Sequence, residues 1–262
     1  MNKGQLVSLI RQKSSYLCVG LDTDSDKLPS HLRTAREGFL DFNKAIIDAT
    51  RDVAVAYKIN TAFYEAMGVK GWELLEATVN YIGPSHLTIA DAKRGDIGNT
   101  SSQYARAFFE ALPFDAITVA PYMGSDSIQP FLEYKNKWTI LLGLTSNPGA
   151  NDFELQQMGD LRLYERVMKT AAAWGGPEQL MFVVGATQAE EFLNIRKICP
   201  QHFFLVPGVG AQGGSLKEIS EKAMIPHEVG LLVNVSRGVI YASGDKDFAA
   251  AAARAAAAYR DE

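Results

Sequence analysis

Eight short apolar runs recur along the chain, at residues 17–21, 53–59, 87–90, 116–120, 139–144, 180–184, 203–206 and 231–235. They read as near-continuous apolar stretches and not as alternating ones, which is what a parallel sheet buried on both faces requires. Helix-like segments lie between them at 37–50, 62–79, 101–112, 161–174, 189–197 and 215–224, with a shorter crossover near 125–134. Residues 248–259, almost all alanine, form a strong C-terminal helix by propensity alone. Thr100-Ser101-Ser102-Gln103 fits a capping box that starts the helix after the third strand. No Pro/Gly/Ser-rich linker and no shift in composition divides the chain. The pattern therefore predicts an α/β fold, a single (β/α)8 TIM barrel over residues 1–262, with a doubly wound open sheet as the alternative.

Lys and Arg number 26 against 30 Asp and Glu, a formal charge of −4. Such mild acidity argues against a nucleic-acid or anionic-membrane binder and leaves any phosphate recognition to a local site. Cys18 and Cys199 are the two cysteines, which implies no disulfide framework or zinc site and points to a reducing, cytoplasmic setting. The first residues are too polar for a signal sequence, and no run of about 18 apolar residues reads as a membrane span. His31, His86, His202 and His227 fall outside every motif, so neither histidine base chemistry nor metal ligation is expected.

The strand ends carry the chemistry. Strand one ends in Leu21-Asp22, strand two in Lys58-Ile59-Asn60, and strand three in Asp91-Ala92-Lys93, with Asp96 across a glycine turn. Residues i and i+2 of a strand share a face, so Asp91 and Lys93 project side by side, and Asp96 is placed to close a carboxylate–ammonium–carboxylate cluster. Two acids around one lysine favour its charged form, a poised acid and not an amine nucleophile. The plainer reading of the segment is a solvated i, i+2 ion pair. Strand five ends in Thr145-Ser146-Asn147-Pro148-Gly149, where Ser146 reads as a hydrogen-bonding residue and not as a nucleophile. Strand seven runs into a glycine-rich loop, residues 207–214, that includes Gln212, and strand eight runs into Ser236-Arg237-Gly238. Barrels commonly hold a phosphate at these two ends. Glycine lets backbone N–H groups approach the anion, and an arginine fork matches its oxygens. In a barrel all of these ends converge on one face. Long connections at 23–36 and 146–160 flank it.

Asp91-Ala-Lys93-Arg-Gly-Asp96-Ile-Gly-Asn-Thr100 resembles the Asp-x-Lys-x-x-Asp-Ile motif of the orotidine 5′-phosphate decarboxylase family, with its threonine four residues after the second aspartate. The resemblance extends through Leu21-Asp22, Lys58, Ser146-x-Pro-Gly, Pro-Gly-Val-Gly-Ala-Gln and Ser-Arg-Gly, in wording similar to the longer bacterial (type 2) branch. It implies a cofactor-independent decarboxylation of orotidine 5′-monophosphate to uridine 5′-monophosphate in de novo pyrimidine biosynthesis. Lys93 is then implied as proton donor to C6 within an Asp/Lys network of Asp91, Asp96 and Lys58. Asp22 and Lys58 are implied to hold the ribose hydroxyls, Ser146 the pyrimidine, and Gln212 with Arg237 and Gly238 the phosphate. Asp96 and Thr100 are implied to cross into the neighbouring subunit's site, which makes a homodimer the active unit. A Schiff-base aldolase using Lys93 or Lys58 and a non-catalytic phosphosugar- or nucleotide-binding barrel are the competing readings.

Overall fold

In a computed structural model, which describes residues 1–210 and 213–262, eight parallel strands close into a barrel. They are β1 (Leu17–Gly20), β2 (Ala54–Asn60), β3 (Leu87–Arg94), β4 (Ala116–Val119), β5 (Trp138–Leu144), β6 (Leu180–Val184), β7 (Phe203–Pro207) and β8 (Leu231–Val235). Each pairs with its neighbours in sequence, and β8 returns onto β1 through Cys18–Asn234 and Val19–Val235. The open-sheet alternative is thereby removed, and the eight apolar runs coincide with the eight strands.

Near-continuous burial follows from the architecture. One set of strand side chains, including Cys18, Ile89, Trp138, Ile140, Met181, Phe203 and Leu205, fills the barrel interior. The other set, including Val19, Tyr57, Phe182 and Phe204, packs outward under the helices. Trp138 is fully buried, and truncating a side chain of that size in a core costs about 3–5 kcal/mol.

The helices depart from expectation at their ends. The N-terminal segment, read above only as too polar for a signal, is itself a helix, Lys3–Lys13, closed by a capping box between Asn2 and Gln5. Leu6 and Ile10 pack from it onto the interior cluster and seal the bottom of the barrel. The expected helix 62–79 divides into Thr61–Glu65 and Val69–Ile82. The expected capping box at Thr100 is not formed: the helix runs Gly98–Arg106 behind Ile97 and has no side-chain cap. Thr100 therefore sits inside its first turn. The connection after β1 carries the short turns Ser25–Lys27 and Ser30–Arg33. The one after β5 folds into a turn at Pro148–Asn151 and a two-stranded hairpin, Gln157–Met158 with Leu161–Arg162. Among the described residues no helix is long and apolar enough to cross a membrane.

Candidate active site

Parallel closure brings the C-terminal strand ends to one face, and the register sets which side chains meet there. Gly20 lies opposite Lys58, and Asn60 opposite Asp91. Lys58 Nζ donates to Asp91 Oδ2 at 2.9 Å and to Asp22 Oδ1 at 3.3 Å. Lys93 Nζ donates to the other oxygen of Asp91 at 2.7 Å. The result is a chain of alternating charge, Asp22–Lys58–Asp91–Lys93, drawn from three adjacent strands. Its middle is dry and its end is wet: the Lys58 side chain is 5 % exposed and Asp91 11 %, while Lys93 is 51 % exposed.

Burial alone pushes the Asp91 carboxyl upward, but Lys58 and Lys93 outweigh it and hold that pKa well below the usual carboxylate range. Burial likewise pushes Lys58 downward, and Asp91 and Asp22 reverse it, so its ammonium is held above the ordinary lysine value. An amine so protected is a poor Schiff-base nucleophile, which weighs against an aldolase acting through Lys58.

The way Asp91 reaches Lys93 differs from the flat-strand expectation. The β3–β4 register shifts between Ala90 and Arg94, and Lys93 adopts φ +45°. A left-handed lysine at a strand end costs on the order of 1–3 kcal/mol and persists where neighbours fix it. Here Thr118 of β4 does so. It accepts from the Lys93 backbone N–H at 2.9 Å and donates to Asp91 Oδ1 at 3.0 Å. Sequence reasoning missed Thr118; its trace was one hydroxyl inside the apolar run of β4. Asp96 is the other departure. Its carboxylate accepts from the Ile97 backbone N–H at 2.8 Å, and Lys93 forms its ion pair with Asp91, so Asp96 does not close the expected three-membered cluster within the chain.

Across the mouth, Ser146 lies just beyond β5, in a segment tied down by Glu154, whose carboxylate accepts from the Thr145 backbone N–H at 2.6 Å and from its hydroxyl at 2.9 Å. Gly185, just past β6, approaches Ser146 so closely that an added methyl would lie 2.6 Å from the serine nitrogen. Arg237 is exposed and opens a short helix, Arg237–Ile240, directly after β8. A cavity of about 280 Å³ joins both sides. Asp22, Lys58, Asp91, Lys93, Ser146, Arg237 and Gly238 line it, together with Asn60 and Ser236, which sequence reasoning quoted at strand ends without assigning them a role, and Asn234 of β8. Asp96 and Thr100 do not line it. Gln212 lies outside the described residues. No histidine lines the cavity, and among the described residues no three histidine, cysteine or carboxylate side chains converge as a metal-ligand set.

A sequence model of the orotidine 5′-phosphate decarboxylase / HUMPS family matches residues 15–253. The chain belongs to that family. The matched span contains every lining residue of the cavity. A Bacteroides fragilis (strain YCH46) protein named orotidine 5′-phosphate decarboxylase is 57 % identical over 260 residues, covering 98 % of this chain and 94 % of its own length. The corresponding protein of Christiangramia forsetii is 56 % identical over 265 residues, covering 100 % and 97 %. Among solved structures, the Leishmania donovani OMP decarboxylase superposes with a TM-score of 0.84 at 36 % identity, covering 100 % of both chains. The family's barrel and this one thus share their whole architecture.

Proposed function

We propose that this chain decarboxylates orotidine 5′-monophosphate to uridine 5′-monophosphate in de novo pyrimidine biosynthesis, as one catalytic domain and without a cofactor. The observation that carries the reading is the Asp22–Lys58–Asp91–Lys93 chain at the cavity wall, facing Ser146 and Arg237. When the bond between C6 and the carboxylate breaks, its electron pair remains on C6. Lys93, the exposed end of the chain, then delivers a proton there and recovers one from solvent. Its ammonium also stabilises the developing charge before transfer, in a site whose polar groups are already in place. Asp91 serves twice. It orients Lys93, and it repels the substrate carboxylate: two like unit charges at ~4 Å and an effective dielectric near 20 repel by about 4 kcal/mol, relieved as carbon dioxide leaves. Lys58, gripped by two carboxylates, keeps Asp91 ionised and presents Asp22 toward the ribose.

On this reading Ser146 bonds the pyrimidine, and Arg237 with Gly238 holds the phosphate, whose binding energy is converted into rate at the reacting carbon. Asp96 and Thr100 act in a neighbouring subunit's site. Their position outside their own chain's cavity supports this, as does the exposure of neighbouring Ile97 and of Met123, whose side chain reaches Gly95. The buried free cysteines Cys18 and Cys199 suit a reducing cytoplasm.

The test is to add orotidine 5′-monophosphate to purified protein without added metal and follow loss of its ultraviolet absorbance. Turnover is expected; none from folded wild type overturns the reading. For the shared site, mixing Asp96→Ala with Lys93→Ala protein is expected to restore partial activity in hybrid dimers. No recovery despite proven subunit exchange overturns that part alone.

A further inference from the structure

Tyr259 belongs to the C-terminal helix, Phe248–Asp261, whose inner face packs on the core through Phe248, Ala252 and Ala256. It is remote in sequence from every motif discussed above. Its hydroxyl end nonetheless meets two backbone segments at once. A methyl group in place of the α-hydrogen of Gly210 would lie 2.5 Å from the Tyr259 oxygen, and one on Gly238 would lie 3.0 Å from the same atom. Gly210 belongs to the loop after β7, and Gly238 follows Arg237 after β8. The first is the glycine-rich loop expected from the sequence to lie beside a phosphate, and the second is the turn assigned to it in the proposed function. The ring of Tyr259 is half-buried and packs on the core, so the oxygen is presented from a supported position.

We propose that Tyr259 is a positioning residue for phosphate recognition: its hydroxyl end is the common backstop that sets the spacing between the Gly210 loop and the Arg237–Gly238 turn. The inference rests on the phosphate assignment in the proposed function. The physical argument is one of contact. Neither segment has a side chain of its own at the contact point, so each leans its backbone on the same atom. A methyl at Gly210 would strike the tyrosine and one at Gly238 would press on it, and without the tyrosine both segments lose the shared stop. A displacement of about 1 Å in a substrate-positioning group is enough to cost up to about 10²-fold in rate.

The experiment compares orotidine 5′-monophosphate with orotidine, which lacks the phosphate, in wild type, Tyr259→Ala and Tyr259→Leu. Tyr259→Leu keeps apolar bulk on the core should the alanine variant fold poorly. We expect kcat/KM for the phosphorylated substrate to fall about tenfold, mostly through KM, with that for orotidine unchanged. The apparent inhibition constant of inorganic phosphate against orotidine 5′-monophosphate should rise in parallel. A second arm adds the methyl back: Gly238→Ala should impair wild type more than it impairs Tyr259→Ala, because the clash partner is gone. Equal losses on both substrates, or no loss on either, overturn the proposal. If wild type itself does not distinguish the two substrates, the phosphate assignment fails instead.

Discussion

On the β1–β3 side of the barrel mouth, Asp22, Lys58, Asp91 and Lys93 hold one another by charge, from strand ends, with the central pair buried. On the β5–β8 side, Ser146 and Arg237 stand on connecting segments that are placed by packing against glycines and by Glu154. The first side is preorganised at a cost in desolvation that only complete pairing offsets. The second relies on backbone approach, which demands the absence of side chains. Damage to the two sides should therefore look different: loss of an ammonium on one, addition of a methyl on the other.

Short of Lys93 itself, the largest effect is expected at Lys58. Lys58→Ala leaves the buried Asp91 with one partially exposed ion-pair partner and takes from Asp22 its ion pair with Lys58. Removing one partner of a buried pair destabilises by about 3–5 kcal/mol, to be read by chemical denaturation. Loss of the preorganised charge should also lower kcat by about 10³-fold, to be read by steady-state kinetics. Arg237→Ala should act more gently, raising KM about 10- to 100-fold as one charged hydrogen-bonding partner is lost, with the melting temperature unchanged. Gly185→Ala should cost about tenfold in kcat/KM, because the added methyl, 2.6 Å from the Ser146 nitrogen and 2.7 Å from its Cβ, must displace that backbone.

The smallest effect is one of pH. Asp91 is held below its ordinary value of 3.8, so its contribution to stability is complete above that value and is lost as pH falls toward the folded pKa. Lys58 is held above its ordinary 10.5, so its contribution is complete below that value and is lost as pH rises through the folded pKa. The difference in melting temperature between wild type and Lys58→Ala should thus stay flat from about pH 5 to about pH 9 and narrow below about pH 4. A difference that widens on acidification would break this account of the charged side.

The same contrast governs what the sequence made legible. Eight apolar runs with helices between them sufficed for the barrel because buried parallel strands have little choice of composition. Asp22, Lys58, Asp91 and Lys93 were legible as charges where a strand ought to end. What holds them was not. Thr118 reads as one more β-branched strand residue, and its role depends on the Ala90–Arg94 register shift that turns Lys93 toward Asp91. The expected Asp91–Lys93–Asp96 cluster failed for the same reason, since alternation along a strand says nothing about the turn that follows it. Lys58, on the neighbouring strand but 33 residues away in sequence, instead holds the other oxygen of Asp91. On the other side, the close approach of Gly185 to Ser146 joins two loops that no local pattern connects.

The central claim is that Lys93, held by Asp91 at the exposed end of the charge chain, performs the chemistry and not the binding. Its most direct test measures turnover of orotidine 5′-monophosphate and affinity for uridine 5′-monophosphate side by side in wild type and Lys93→Ala, after matching their melting curves. Turnover is predicted to fall by at least about 10⁴-fold, with product affinity kept within a few-fold. A folded Lys93→Ala protein that decarboxylates within about tenfold of wild type would contradict it.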